Sequence, residues 1–184
     1  MTTTARSRSA GFTISELLVG ITLSGLVMAA VLSSYVYLGR NFARLMNQQT
    51  LESEGRRTVQ TFARDVRMAE GFSGTPTATQ LTLVLPAGNV TYAYDNTNRR
   101  LTRTPAGGSA LVLLRNTTDN GCSFLYYDIA SREYSNPAQF TPGIKQVALS
   151  FTTQTGVAAN FTRTGVYTGA TQRLLLRNKG LLEP

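Results

Sequence analysis

At 184 residues the chain has room for one modest domain and an extension. It contains no histidine and one cysteine, which removes the usual catalytic triads, the commonest metal ligand and any intramolecular disulfide. The formal net charge of +8 is carried almost wholly by arginine, with lysine only at Lys145 and Lys179. Because it is spread along the chain, a solvated basic surface competes with DNA as its explanation.

In chain order, Arg6 and Arg8 come first, and then Leu17 to Gly39 runs for 23 positions without a charged side chain. As a helix this run is about 34 Å long at ~1.5 Å per residue, enough to cross about 30 Å of hydrocarbon. It is also longer than the apolar region of an ordinary secretory signal, which is about 7 to 15 residues. Small residues recur at four-residue steps in Gly25, Ala29 and Ser33, and in a second short row, Gly20 and Ser24. Such rows let helices pack closely, although Gly and Ser are also simply common in membrane helices. Glu16 stands at the mouth of the run, and a carboxylate there needs a partner or an interfacial position. The positive end of the helix dipole favours it in the first turn.

The segment Gly11-Phe12-Thr13-Ile14-Ser15-Glu16-Leu17-Leu18-Val19 resembles the leader signal of type IV prepilins and type II secretion pseudopilins. That resemblance implies cleavage between Gly11 and Phe12 by a membrane-embedded aspartyl prepilin peptidase, followed by N-methylation of Phe12. It also implies that Glu16 attracts the amine of a neighbouring subunit's Phe12 during assembly, a pairing that offsets the cost of burying either charge. Two residues depart from the family pattern: Ser15 replaces an aliphatic residue, and Ser33 stands where many major pilins carry a kinking proline. The second departure leans away from a major fibre subunit. Arg6 and Arg8 before the run and Arg40 and Arg44 after it leave the positive-inside rule undecided. The leader motif therefore places the head outside the cytoplasmic membrane.

After Gly39 the pattern turns amphipathic, with Val59, Phe62, Val66 and Ala69 forming one stripe and Arg57, Arg64 and Asp65 expected on the opposite, solvent-facing side. The arginines read either as a solvated face or as contacts to phosphate or lipid. Gly71-Phe72-Ser73-Gly74-Thr75-Pro76 predicts the helix end, so that a helix from Phe12 to Gly71 would be about 90 Å long.

Short β-rich runs follow at Leu81 to Leu85, Val90 to Tyr94, Leu101 to Arg103, Ala110 to Arg115, Ser123 to Asp128, Val147 to Thr153 and Arg173 to Arg177. Turn residues such as Asp95-Asn96-Thr97-Asn98 suggest antiparallel hairpins, and Arg132 to Gly143, with two prolines, reads as a loop. Cys122 adjoins Phe124, Leu125 and Tyr126 and is read as buried; the other reading is a thiol paired with another chain. The hydroxyl-rich stretches Thr75 to Thr82 and Thr152 to Thr168 read as strand and loop composition.

The expected fold is α+β: a long N-terminal helix, apolar in its first half and amphipathic in its second, packed on a small antiparallel β-sheet head. The order of elements resembles minor pilins of the PilW type and J-type minor pseudopilins, through Arg64-Asp65-Val66-Arg67, the Val90-to-Arg103 hairpin, Phe124 to Asp128 and Leu174 to Asn178. The expected division is leader 1–11, membrane and assembly helix 12–39, amphipathic helix 40–72 and head 73–184.

No carboxylate pair, phosphate loop or metal-ligand cluster stands out, so no enzyme activity, cofactor, metal or small-molecule substrate is expected. The resemblance implies prepilin peptidase, other pilins or pseudopilins, and inner-membrane lipid before assembly as partners. The protein would pass once through the cytoplasmic membrane and then enter a cell-surface or periplasmic fibre. Three functions are open: a minor type IV pilus subunit supporting assembly, adhesion, motility or DNA uptake; a minor pseudopilin of type II secretion; and a single-pass anchored binding domain.

Overall fold

The computed structural model describes residues 11–137, 143–155 and 165–176. One helix, α1 (Ile14–Met68), precedes nine strands, and the chain divides into two compact units, Met1–Ala43 and Arg44–Pro184.

In the first unit α1 runs without proline through residues that favour helix, and every described side chain from Gly11 to Arg40 is exposed. Its hydroxyls turn back on the helix. Thr22 donates to the Leu18 and Val19 carbonyls at 3.1 and 2.9 Å, Ser24 to Gly20 at 2.7 Å and Ser34 to Ala30 at 3.0 Å. Polar groups satisfied within one segment are what a hydrocarbon environment demands.

In the second unit α1 buries Leu51, Gly55, Thr58, Phe62, Asp65 and Val66, three or four residues apart for the most part, so one face of the helix meets the sheets. The first sheet is an antiparallel meander of β1 (Gly71–Phe72), β2 (Gln80–Val84), β3 (Val90–Asp95), β4 (Arg100–Pro105) and β5 (Leu111–Leu114), in that order. Strand alternation sends Val90, Tyr92 and Tyr94 inward from β3. The second sheet orders β6 (Thr117–Tyr127), β7 (Gln146–Thr155) and β8 (Gly165–Ala170), with β9 (Leu174–Leu175) also pairing β7.

Phe62 joins the layers. Its ring packs edge-on to Tyr92 of β3 at 5.2 Å and against Phe124 of β6 at 5.8 Å. Hydrogen bonds stitch the sheets to each other: the Phe124 amide donates to Ala78 at 2.8 Å, the Tyr126 hydroxyl to Thr77 at 2.6 Å and the Tyr94 hydroxyl to Thr118 at 3.1 Å. The α+β arrangement is as expected, with the strands shared between two sheets.

Several boundaries differ from the sequence reading. The helix ends at Met68, because the Glu70 amide donates to Val84 at 2.8 Å and draws Gly71–Phe72 into pairing with Val84 and Leu83. β4 extends to Arg100 and Pro105, β5 stops one residue short at each end, and β7 is longer at both. β6 begins at Thr117, not Ser123; a register shift between Thr117 and Cys122, with Asn116 and Asn120 at positive φ, broke the alternation that marks a strand. β8, overlapping the end of the hydroxyl-rich stretch, has too few bulky residues to announce itself. β9 covers only Leu174–Leu175, and Arg177 and Asn178 lie outside the described residues. In the expected loop, Glu133 bridges to Tyr127, and 138–142 lie outside the described residues.

The largest correction concerns Asp65, expected in solvent but fully buried. At about 100° per residue it lies about 60° from Phe62, on the flank of the apolar stripe rather than opposite it. Arg57 and Arg64 do face outward.

Candidate membrane and assembly site

The helix start is built by a reciprocal pair. Thr13 precedes the first helical residue, and its hydroxyl accepts from the Glu16 amide at 3.3 Å. Glu16 Oε2 in turn accepts from the Thr13 amide at 2.9 Å and the Thr13 hydroxyl at 2.8 Å. This is a capping box, in which the acid three residues past the cap reaches back to satisfy an amide that the helix cannot. The first helical bond runs from the Leu17 amide to the Thr13 carbonyl at 3.1 Å. The sequence reading missed the part played by Thr13, although Thr-x-x-Glu before an apolar run is its standard signature.

Gly11 and Phe12 lie just outside the helix, and the Phe12 ring is 85% exposed. Among the described residues, a side chain at Gly11 would meet nothing within 4 Å. Glu16, Gly20 and Ser24 are four residues apart and share one face. Gly20 leaves the flanks of Glu16 open, toward Val19 and Leu23 on one side and toward Phe12 and Ile21 on the other. The Ser24 hydroxyl is occupied by the Gly20 carbonyl, so this row offers shape more than polarity. Gly25, Ala29 and Ser33 form a row on another face, about 140° or more around the helix from Gly20. The two small-residue rows are thus separate surfaces, and only the first includes the carboxylate.

Beyond these residues α1 presents Leu17, Leu18, Ile21, Leu26, Val27, Val31 and Leu32, each more than half exposed. It carries an 18-residue window of mean hydropathy 2.1 in which nothing is buried, and by length and composition it can cross a membrane. An uncovered apolar surface of this size marks a membrane or protein contact.

Among the described residues of the head, an ionic cluster is buried around Asp65. Asp65 Oδ2 accepts from Arg103 Nε at 2.7 Å and from the Tyr92 hydroxyl at 2.8 Å, while exposed Arg64 approaches Oδ1 at 3.5 Å. Burial, then the facing carboxylate, push the Tyr92 phenol well above its usual range. Burial works against the Arg103 charge, but the hydrogen bond and charge of Asp65 outweigh it and hold the guanidinium above its ordinary value. With its carboxylate oxygens occupied, the cluster ties α1 to β3 and β4. Cys122 is 3% exposed, and burial pushes its thiol up to about 12, leaving it protonated near neutral pH. Among the described residues no group of three or more His, Cys, Asp or Glu side chains could hold a metal ion.

Residues 6–32 match the prokaryotic N-terminal methylation motif. The match spans Gly11, Phe12, the capping box and most of the apolar helix, and supports a type IV pilin-like prepilin leader of the kind that prepilin peptidase processes. No curated protein and no solved structure matches the chain.

Proposed function

We propose that the chain is made as a precursor, cut between Gly11 and Phe12 and methylated on Phe12, and that it serves as a minor subunit of a type IV pilus, priming or joining the fibre. In this reading residues 1–11 are the leader and 12–39 hold the protein in the cytoplasmic membrane, with the head outside the cytoplasm. Residues 40–72 carry the head, 73–184, and Glu16 receives the terminal amine of a neighbouring subunit. The observation that carries the reading is the motif match over residues 6–32, coincident with the apolar first part of α1, whose side chains are all exposed as far as Arg40. A lone anchored domain requires a span but not Gly-Phe followed by a glutamate four residues later. Mass spectrometry of the membrane-purified protein tests the proposal. The expected result is loss of residues 1–11 and one added methyl on Phe12; an intact Met1 terminus refutes it.

A further inference from the structure

A cleft of about 190 Å³ lies between α1 and β5 in the head unit. β5 is the outermost strand of its sheet, and Thr58 on α1 covers part of its open edge by donating to the Leu113 carbonyl at 3.2 Å while bonded to Glu54 at 2.8 Å. Above that floor stand Arg57 and Glu54 from the helix and Arg115, Val112 and Leu111 from the strand region. Leu111 is 51% exposed.

The arginines of this cleft differ from most others in the head. Arg56 pairs with Glu52, Arg99 with Asp119, Arg100 with Asp95, Arg103 with Asp65 and Arg132 with Asp128. Arg57 and Arg115 have no acid partner among the described residues, yet both line one cavity from two separate elements. With Glu54 as the one acid beside two arginines, the lining carries a net positive charge, and a carboxylate is the group whose oxygens best match the N–H forks of arginine.

Glu54 and the apolar wall narrow the choice of anion. A phosphodiester backbone repeats negative charge and offers no donor, so Glu54 would repel it. A protein segment supplies a carboxylate, donors for Glu54 from its own backbone, and aliphatic carbon for Leu111 and Val112. A second copy of this chain is a poor source, because like copies repel, each still at a formal net charge of +6 once Arg6 and Arg8 leave with residues 1–11.

We propose that the cleft between α1 and β5 receives an aspartate or glutamate side chain from a different pilin-like subunit, fixing which neighbour stands beside this head. The proposal rests on the fibre reading above and adds to it a partner-selecting site in the head.

The test uses the full chain in its own cells, with a photoreactive benzoylphenylalanine replacing Leu111 and the adduct mapped by mass spectrometry. The proposal expects an adduct to a different pilin-like chain, on a segment carrying an acid. Adduct yield should fall about tenfold in Arg57→Glu/Arg115→Glu, the scale of a lost interfacial charge pair. It should return when the partner's acid is reversed to lysine. Arg56→Glu, a reversal one residue from Arg57 but outside the cleft lining, should leave the yield unchanged. If the double reversal weakens the protease resistance of the head, Arg57→Gln/Arg115→Gln replaces it, with the same loss expected. A yield indifferent to the arginines, an adduct to a second copy, an adduct to nucleic acid, or none from a processed chain present in sheared fibres overturns the cleft proposal while the fibre reading stands. A chain that keeps Met1 and never enters the fibre fraction overturns both.

Discussion

Replacing Asp65 by asparagine removes one charge from the centre of the head and changes almost nothing in its shape. Asp65 is fully buried and the Arg103 side chain 17% exposed, so water can replace the lost partner of the arginine only in part. Breaking a buried ion pair by removing one member costs about 3–5 kcal/mol when the other charge is left uncompensated. Asparagine keeps an acceptor for the Tyr92 hydroxyl and Arg103 keeps some solvent, so about 2–3 kcal/mol is expected for Asp65→Asn. Asp65→Ala also strands the Tyr92 hydroxyl, which adds roughly 1–3 kcal/mol. Against a total stability of about 5–15 kcal/mol these are large fractions. The chain has no tryptophan, so unfolding in urea is best followed by the near-ultraviolet circular dichroism of its tyrosines, on the processed chain in detergent. Coupling is measured with Asp65→Leu/Arg103→Met, which removes both charges and should cost clearly less than the two single changes added together. Asp65→Asn within about 0.5 kcal/mol of wild type, or strict additivity in the cycle, refutes the claim that this pair ties α1 to the sheet.

Three further outcomes follow from the geometry. Glu16→Gln keeps an acceptor for the Thr13 amide but loses the charge; it should be processed normally yet enter fibres as poorly as Glu16→Ala, measured in sheared-fibre fractions, and wild-type entry would reduce Glu16 to a helix cap. Gly55 lies where a side chain would run into the rings of Tyr167 and Phe151, so Gly55→Leu should lower stability by about 1–3 kcal/mol or more, and an unchanged melting temperature would disprove that close approach. For Cys122, the native thiol, held up to about 12, should resist iodoacetamide at pH 8.5 until urea is added. Between its ordinary value of 9.0 and about 12 the unfolded chain gives up a proton that the folded chain keeps, so this group makes stability fall as pH rises through that window, which alkaline urea titrations would detect.

What was legible in the sequence depended on how local its physics is. The uncharged run Leu17 to Gly39 and the strands around Val90, Tyr92 and Tyr94 announce themselves because each depends on one periodicity within one segment. β6 was half hidden by its register shift, since the residues from Thr118 to Gly121 pair irregularly and look like a turn. β8 alternates weakly and contains two glycines, one of which, Gly169, gives room to the ring of Phe151, a residue it does not neighbour in the chain. Asp65 was misplaced for the same reason. A helical wheel shows that it flanks the stripe, but only the fold brings Arg103, 38 residues later, to meet it. At the candidate site the residue types and the two rows of small residues were readable, and Thr13-x-x-Glu16 was readable but overlooked; the structure adds that Glu16 uses Oε2 for both bonds to Thr13.

That mutual binding bears on how one carboxylate can serve two purposes. The capping box uses the Thr13 amide, the Thr13 hydroxyl and Glu16 Oε2, all on the mature side of the Gly11–Phe12 bond. Cleavage at that bond, as proposed, therefore leaves the box whole and exposes a new amine one residue before the cap. A carboxylate has about four acceptor positions on two oxygens, and the box engages only Oε2. Oε1 takes no part in the box, and Glu16 borders the open flanks beside Gly20, so in the proposed pairing a cation could be bound without unwinding the first turn. The cap also lowers the entropic cost of such a contact, since it fixes in advance the side chain that a neighbour must find. Thr13→Val, which loses the hydroxyl but keeps the amide, should then leave the Glu16 charge in place while loosening its position. Its expected effect is a partial loss of fibre entry, milder than that of Glu16→Gln. Equal loss in the two variants would show that position, rather than charge, governs the contact.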